Sequence, residues 1–265
     1  MDLRPHLTAA QVPIGARVLN YQPFILADDL QTGIAYSWFR GGDPREQPPL
    51  VFRYSDWGAE WEQISARNGA LRRMYEDFIL EIARRYPAGS LLDVACNNGY
   101  FPVRAELAGM RRCAGIDLGR HYRYAVRFLN DVLGTSAKFM HGRYDPRERS
   151  MTPGRRYDVV CASAILCHLP DPLEFLACLG RTANEAIFFW GKVIETNEFI
   201  IAYDKPHLAF SDEPFPYGFN SDTQLSRGLL IWSLEKMGFR EVIELPQREG
   251  WLDMPGKHMA VLAMR

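Results

Sequence analysis

The chain has no uninterrupted apolar run of about 18 residues, the length a helix needs to cross a bilayer, so no membrane span is expected. Its first stretch, MDLRPHLTAAQVPIGARVLN, also lacks the apolar core of a secretion signal. Neither sign of charge is in excess: 31 Lys and Arg stand against 32 Asp and Glu. Proteins that grip duplex or transfer RNA usually carry a strong basic surplus, so nucleic acid is disfavoured as a partner. Local patches at Arg111-Arg112 and from Arg120 to Arg127 are the exceptions. The five cysteines, Cys96, Cys113, Cys161, Cys167 and Cys178, form no Cys-x-x-Cys pair. An odd number lying mostly in apolar runs points to reduced, buried thiols and a cytoplasmic protein. The histidines are dispersed, with no closely spaced His and carboxylate set, so no metal site is expected. What is present is ordinary globular composition, 47% hydrophobic and 24% charged over 265 residues, enough for a substantial core.

The most informative stretch is Ser90-Leu91-Leu92-Asp93-Val94-Ala95-Cys96-Asn97-Asn98-Gly99-Tyr100-Phe101. A short apolar run between Ala88-Gly89 and small or polar residues reads as a buried strand breaking into a tight loop. A helix is expected to follow, with Phe101, Ala105, Leu107 and Ala108 at roughly helical spacing and Pro102 in its first turn. Then Cys113-Ala114-Gly115-Ile116-Asp117 forms a second short strand ending in a carboxylate. Strand, small-residue loop, helix, strand and acid in that order open a nucleotide-binding α/β unit, whose ligand sits at the carboxyl ends of the strands. Asp117 follows the loop by about twenty residues, the spacing at which a carboxylate can accept both ribose hydroxyls. The structural alternative is that it caps a helix beginning near Gly119.

These residues resemble the first two motifs of class I methyltransferases that use S-adenosylmethionine, usually written as a hydrophobic run, Asp, x, Gly, Cys, Gly, x, Gly. Ala95 stands at the first glycine position and Asn97 at the second. Ala is small, and Asn is the non-glycine residue most tolerant of positive φ. A second match is Tyr157-Asp158-Val159-Val160-Cys161-Ala162-Ser163-Ala164, continued by Ile165-Leu166-Cys167-His168-Leu169-Pro170-Asp171-Pro172. It resembles the family's fourth strand and the turn after it. The resemblance implies a doubly wound, mostly parallel seven-stranded α/β sheet with helices on both faces, an amino-terminal β/α extension and an insertion after the fifth strand. It covers about residues 70 to 265. The implied organisation is an extension over 1–68 and a methyltransferase domain over 69–265, with 195–220 on the substrate side.

The cofactor implied is S-adenosylmethionine, leaving as S-adenosylhomocysteine. Its expected contacts are Asp93, Ala95, Cys96, Asn97, Gly99, Asp117 and Leu118, with Ser163 and Ala164 along the methionine arm. Arg143 and Tyr144 stand near adenine, where the family often has an acid. His168 is a candidate base, since imidazole titrates near neutrality; the alternative is that it braces its loop. His207 is a second candidate. From Glu195 to Asn220 the chain is dense in aromatics, prolines and acids, and a loop of that length is usually functional. Tyr203, Asp212, Tyr217 and Phe219 are its expected acceptor contacts, against the reading of a partly helical insertion that extends the core.

Elsewhere, Gln22 to Leu26 and Gly33 to Phe39 read as a hairpin turning at Asp28-Asp29, serving as lid, dimer arm or sheet edge. Asp56 to Arg85 reads as a short helix, a break at Asn68-Gly69 and a longer helix. Ser221-Asp222-Thr223 reads as the cap of a helix over Leu225–Met237, followed by two late strands that match the family's antiparallel final pair. The acceptor is expected to be a small molecule, such as a natural-product or sugar intermediate. The enzyme alternative is tRNA modification, because the CNNGYF loop and the strand-four turn resemble tRNA uridine carboxymethyltransferases. A noncatalytic scaffold that kept the fold is a third reading.

Overall fold

A computed structural model describes residues 6–12, 14, 22–27, 30–32, 51–53, 61–142, 151, 155–169, 171–207, 220–254 and 256–265. The fold is mixed α/β with a mostly parallel central sheet. The chain divides into two compact units: residues 1–88, 96–141 and 247–253, and residues 89–95, 142–246 and 254–265.

In the first unit, β1 (Ile25–Ala27), β2 (Leu30–Thr32) and β3 (Val51–Arg53) form an antiparallel sheet. A hairpin is therefore present at Ile25–Ala27 and Leu30–Thr32, in a different register from the expected one. Ile25 faces Gln31, so the return strand begins at Leu30 rather than Gly33; Gly33 to Phe39 lies outside the described residues. Helix α1 (Trp61–Arg85) runs through Asn68-Gly69 without a break. A glycine inside a helix costs only about 1 kcal/mol, and Asn68 is buried with its amide donating to Gln31 Oε1 at 3.1 Å. The apolar positions Leu71, Met74, Tyr75, Phe78, Ile79 and Ile82 recur at helical spacing and are all buried. Tyr75 meets Tyr100 and Phe101 of α2 (Tyr100–Leu107), with ring centroids 5.7 and 5.2 Å apart. Strands β5 (Ala114–Asp117) and β6 (Lys138–His141) pair in parallel, connected by α3 (Tyr122–Leu133).

In the second unit, β4 (Leu91–Val94), β7 (Tyr157–Ser163) and β8 (Ala183–Ile194) lie parallel in that spatial order. Strand β12 (His258–Met264) pairs antiparallel with β8 and with β11 (Glu241–Leu245), the expected final pair. Helix α4 (Pro172–Thr182) starts as its sequence indicates, with Pro172 in the first turn and Asp171 Oδ1 accepting from the Glu174 N–H at 3.0 Å. Two expectations are corrected after β8. The described parts of the insertion are not all loop: β9 (Ile201–His207) and β10 (Asn220–Ser226) pair antiparallel, the end of β10 runs parallel to the end of β8, and residues 208–219 lie outside the described residues. Residues 221–223 accordingly lie in a strand, because cross-strand pairing with Ile201–His207 outweighs their local preference for caps. The cap of α5 (Arg227–Lys236) is Ser226, whose Oγ accepts from the Leu229 N–H at 3.2 Å.

Candidate functional site

The loop leaving β4 turns through three residues with positive φ: Ala95 at 61°, Asn97 at 50° and Gly99 at 82°. These are the three positions at which the resembled motif carries glycine. The backbone path is therefore kept although two of the three residues have a Cβ. Loop geometry is fixed by short-range bonds, with Gly99 N–H donating to Cys96 O at 2.9 Å and Asn98 N–H to Asn97 Oδ1 at 2.8 Å. Cys96 N–H reaches Ile116 O on β5 at 3.1 Å. Gly115 permits that approach, since a Cβ there would stand 2.5 Å from Cys96 Sγ.

Asp117, at the carboxyl end of β5, is joined to this loop. Its Oδ2 accepts from the Asn97 N–H at 2.8 Å and its Oδ1 from the Gly119 N–H at 2.9 Å. Helix α3 begins only at Tyr122, after an N-cap at His121, so Asp117 closes a local turn instead of capping that helix. Leu118, next in sequence, is 58% exposed.

Two residues that sequence reasoning left out belong to the same cluster. Gln22 is buried and bonds the loop at both ends, with Nε2 donating to Cys96 O at 3.1 Å and Oε1 accepting from the Tyr100 N–H at 2.8 Å. Asn98 is fully buried, and neither its Oδ1 nor its Nδ2 has a hydrogen-bond partner among the described residues. Nothing local in the sequence marks Gln22, whose partners lie 74 and 78 residues away. Asn98 could have been suspected only as a polar residue inside the motif. Beneath the loop, the Tyr100 ring lies 5.2 Å from Phe24, and its phenol donates to Glu76 Oε2 at 3.4 Å. Burial, then the Glu76 carboxylate, pushes that phenol far above its ordinary range.

The remaining sequence candidates are distributed as follows. Asp93 is buried within β4, in register with Cys161 of β7. Ser163 ends β7, its Oγ buried without a hydrogen-bond partner among the described residues, and Ala164 follows at φ 54° with its N–H on Trp190 O at 2.7 Å. His168 is exposed at the end of a single 3₁₀ turn, Leu166–His168. Tyr203 is 46% exposed on β9, which His207 ends. Arg143, Tyr144, Asp212, Tyr217 and Phe219 lie outside the described residues. Among the described residues no group of three or more His, Cys, Asp and Glu side chains could hold a metal ion, and no helix is long and apolar enough to cross a membrane.

Residues 67–189 match the family model described as a methyltransferase domain. With the α/β fold and the left-handed loop held by a carboxylate, that match makes this region, a little under half of the chain, similar to a methyltransferase domain. Among curated proteins, the chain is similar to the tRNA U34 carboxymethyltransferase of Campylobacter jejuni (NCTC 11168). The two are 25% identical over 185 residues, 69% of this chain and 57% of that protein. A protein of the same name from Helicobacter hepaticus is 26% identical over 99 residues, 36% of this chain and 31% of that one. The chain thus spans little more than half the length of the Campylobacter relative. Among solved structures, the N-terminal domain of EvdMO1, crystallised with SAH and D-fucose, aligns with a TM-score of 0.52 at 16% identity, over 72% of this chain and 82% of that one. Magnesium protoporphyrin IX methyltransferase (ChlM) from Synechocystis PCC 6803, with bound SAH, aligns with a TM-score of 0.52 at 15% identity, over 86% and 92%. At these identities the structural likeness is one of fold.

Proposed function

We propose that the protein transfers a methyl group from S-adenosylmethionine to a small-molecule acceptor, such as a natural-product or sugar intermediate. The observation that carries this reading is the Asp117 carboxylate, held 2.8 Å from the Asn97 N–H of a loop that is left-handed at all three motif positions. Each carboxylate oxygen takes one backbone N–H and keeps further acceptor capacity, suited to the paired hydroxyls of a ribose. Leu118 offers an exposed apolar face for adenine beside it. The unpartnered Asn98 amide fits a polar ligand at the loop, because leaving a buried amide unpaired costs about 1–3 kcal/mol. The sulfonium, when bound, supplies an already activated methyl group. The chain's own task is then to align nucleophile and methyl, which provides much of the acceleration.

In this reading Asp93, Ala95, Cys96 and Gly99 shape the loop, and Ser163 and Ala164 serve the methionine arm. Where the acceptor is a hydroxyl or an amine, His168 takes its proton, with His207 as the alternative base. The segment over residues 195–220 selects the acceptor through Tyr203, Asp212, Tyr217 and Phe219. Residues 1–68 serve the methyltransferase domain over 69–265 as a lid, a dimer arm or an edge hairpin. All five cysteines are thiols, in keeping with a reducing, cytoplasmic setting.

A second reading, tRNA modification, is favoured by the tRNA U34 carboxymethyltransferases to which the chain is similar. Methyl-labelled S-adenosylmethionine offered with a small-molecule cell extract and, separately, with total tRNA distinguishes the two. Label in a low-mass product supports the proposal. Label in tRNA alone establishes the second reading, and label in neither, with cofactor still bound, points to a scaffold.

A further inference from the structure

The loop that carries the proposed cofactor contacts has glycine at only one of its three left-handed positions. For other residues that conformation costs roughly 1–2 kcal/mol each. Gly99 also stands at the N-cap of α2, where it has no side chain to offer the first-turn N–H groups, and those groups need partners. The partner comes from far away in the chain. The single amide of Gln22 spans the turn, its Nε2 on Cys96 O at 3.1 Å and its Oε1 under the Tyr100 N–H at 2.8 Å. Asn97 and Gly99 lie between those two points.

Gln22 is itself anchored. Its carbonyl accepts from the Phe24 N–H at 2.9 Å and from the Thr32 hydroxyl. The adjoining strand is fixed to α1 through Gln31, whose Nε2 donates to Ser65 Oγ at 2.8 Å. We infer that Gln22 is a positioning residue of the cofactor loop: its amide ties the Cys96 carbonyl to the Tyr100 N–H and so holds a glycine-poor turn in the left-handed path. The segment around residue 22 is then part of the cofactor site's framework. Its effect on affinity rests on the proposed function; its effect on loop order does not.

The test uses the full chain with Gln22→Leu, which removes both bonds, and Gln22→Glu, which keeps an acceptor for Tyr100 but has no donor for Cys96. S-adenosylhomocysteine affinity is read by calorimetry, the Tyr100 amide by hydrogen exchange without ligand, and global stability by the urea midpoint. Gln22→Leu is expected to weaken binding about tenfold and to accelerate Tyr100 exchange selectively, with Gln22→Glu intermediate. Adding Ala95→Gly, which reaches positive φ without strain and removes no loop hydrogen bond, is expected to recover part of the lost affinity. Wild-type affinity and wild-type Tyr100 protection in Gln22→Leu overturn the inference. So does a loss that follows global stability alone, with no selective change at Tyr100 and no rescue. If the unaltered protein binds no S-adenosylhomocysteine, the proposed function fails, and Tyr100 exchange alone then decides the role of Gln22.

Discussion

Adding a methyl group at Gly99 and removing one at Ala95 are expected to shift stability in opposite directions. At Gly99, φ is 82° and a Cβ would lie 2.5 Å from Val126 Cγ2. The left-handed conformation contributes roughly 1–2 kcal/mol of strain for an L side chain, and forcing a methyl into the packed α3 face adds about 1–3 kcal/mol. Gly99→Ala should therefore destabilise by about 2–5 kcal/mol. At Ala95, φ is already 61° with a Cβ present, so Ala95→Gly relieves a similar strain. Against this stands the greater freedom of glycine in the unfolded chain, roughly 0.5–1 kcal/mol. The net expectation is a gain of about 0–1.5 kcal/mol. Urea unfolding followed by circular dichroism reads both through the midpoint at constant slope. A neutral Gly99→Ala, or an Ala95→Gly that destabilises, would show that the loop does not follow the left-handed path described.

Three further outcomes are expected. Gly69→Ala should stabilise by about 1 kcal/mol, because Gly69 sits inside α1 and a Cβ there meets, among the described residues, only Arg73 Nη1 at 3.6 Å; a rise in thermal midpoint checks it. Ser226→Ala should destabilise by about 2 kcal/mol in urea, since the buried Oγ accepts from the Leu229 N–H at 3.2 Å and the Ile200 N–H at 3.1 Å. Hydrogen bonding from Arg84, and secondarily from Arg85, holds the Glu81 carboxyl below its ordinary 4.5, outweighing the opposing effect of burial. That contribution is present above the ordinary value and disappears as the pH falls through the depressed one. Glu81→Gln should thus be less stable than the unaltered chain at pH 7 and indistinguishable from it at strongly acid pH, compared by urea midpoint.

Much of the framework was readable from short-range pattern. The run Leu91–Val94, the loop, α2 and the Ala114–Asp117 strand follow from apolar runs ended by small or charged residues, and Asp171-Pro172 states the start of α4. What escaped reading depends on partners distant in sequence. Asn68-Gly69 looks like a helix break, and is not one because the Asn68 amide meets Gln31, 37 residues earlier. Residues 221–223 have the composition of a cap, and become strand because Thr223 pairs with Tyr203. The types Ala95 and Asn97 indicate only that a left-handed turn is tolerated; Asp117 and Gln22 hold the turn in place. Asp117 was visible through its spacing from the loop, whereas Gln22 had no local signal at all.

The most direct measurement is calorimetric titration of S-adenosylhomocysteine into the unaltered protein and into Asp117→Ala. The substitution removes the acceptor of the Asn97 and Gly119 N–H groups together with the proposed ribose contact. Charge-assisted hydrogen bonds contribute about 1.5–3 kcal/mol each, so affinity should fall at least tenfold while the far-ultraviolet spectrum stays native. Equal affinity in the two proteins, or no binding to the unaltered one, would contradict the claim that this loop and its carboxylate form the cofactor site.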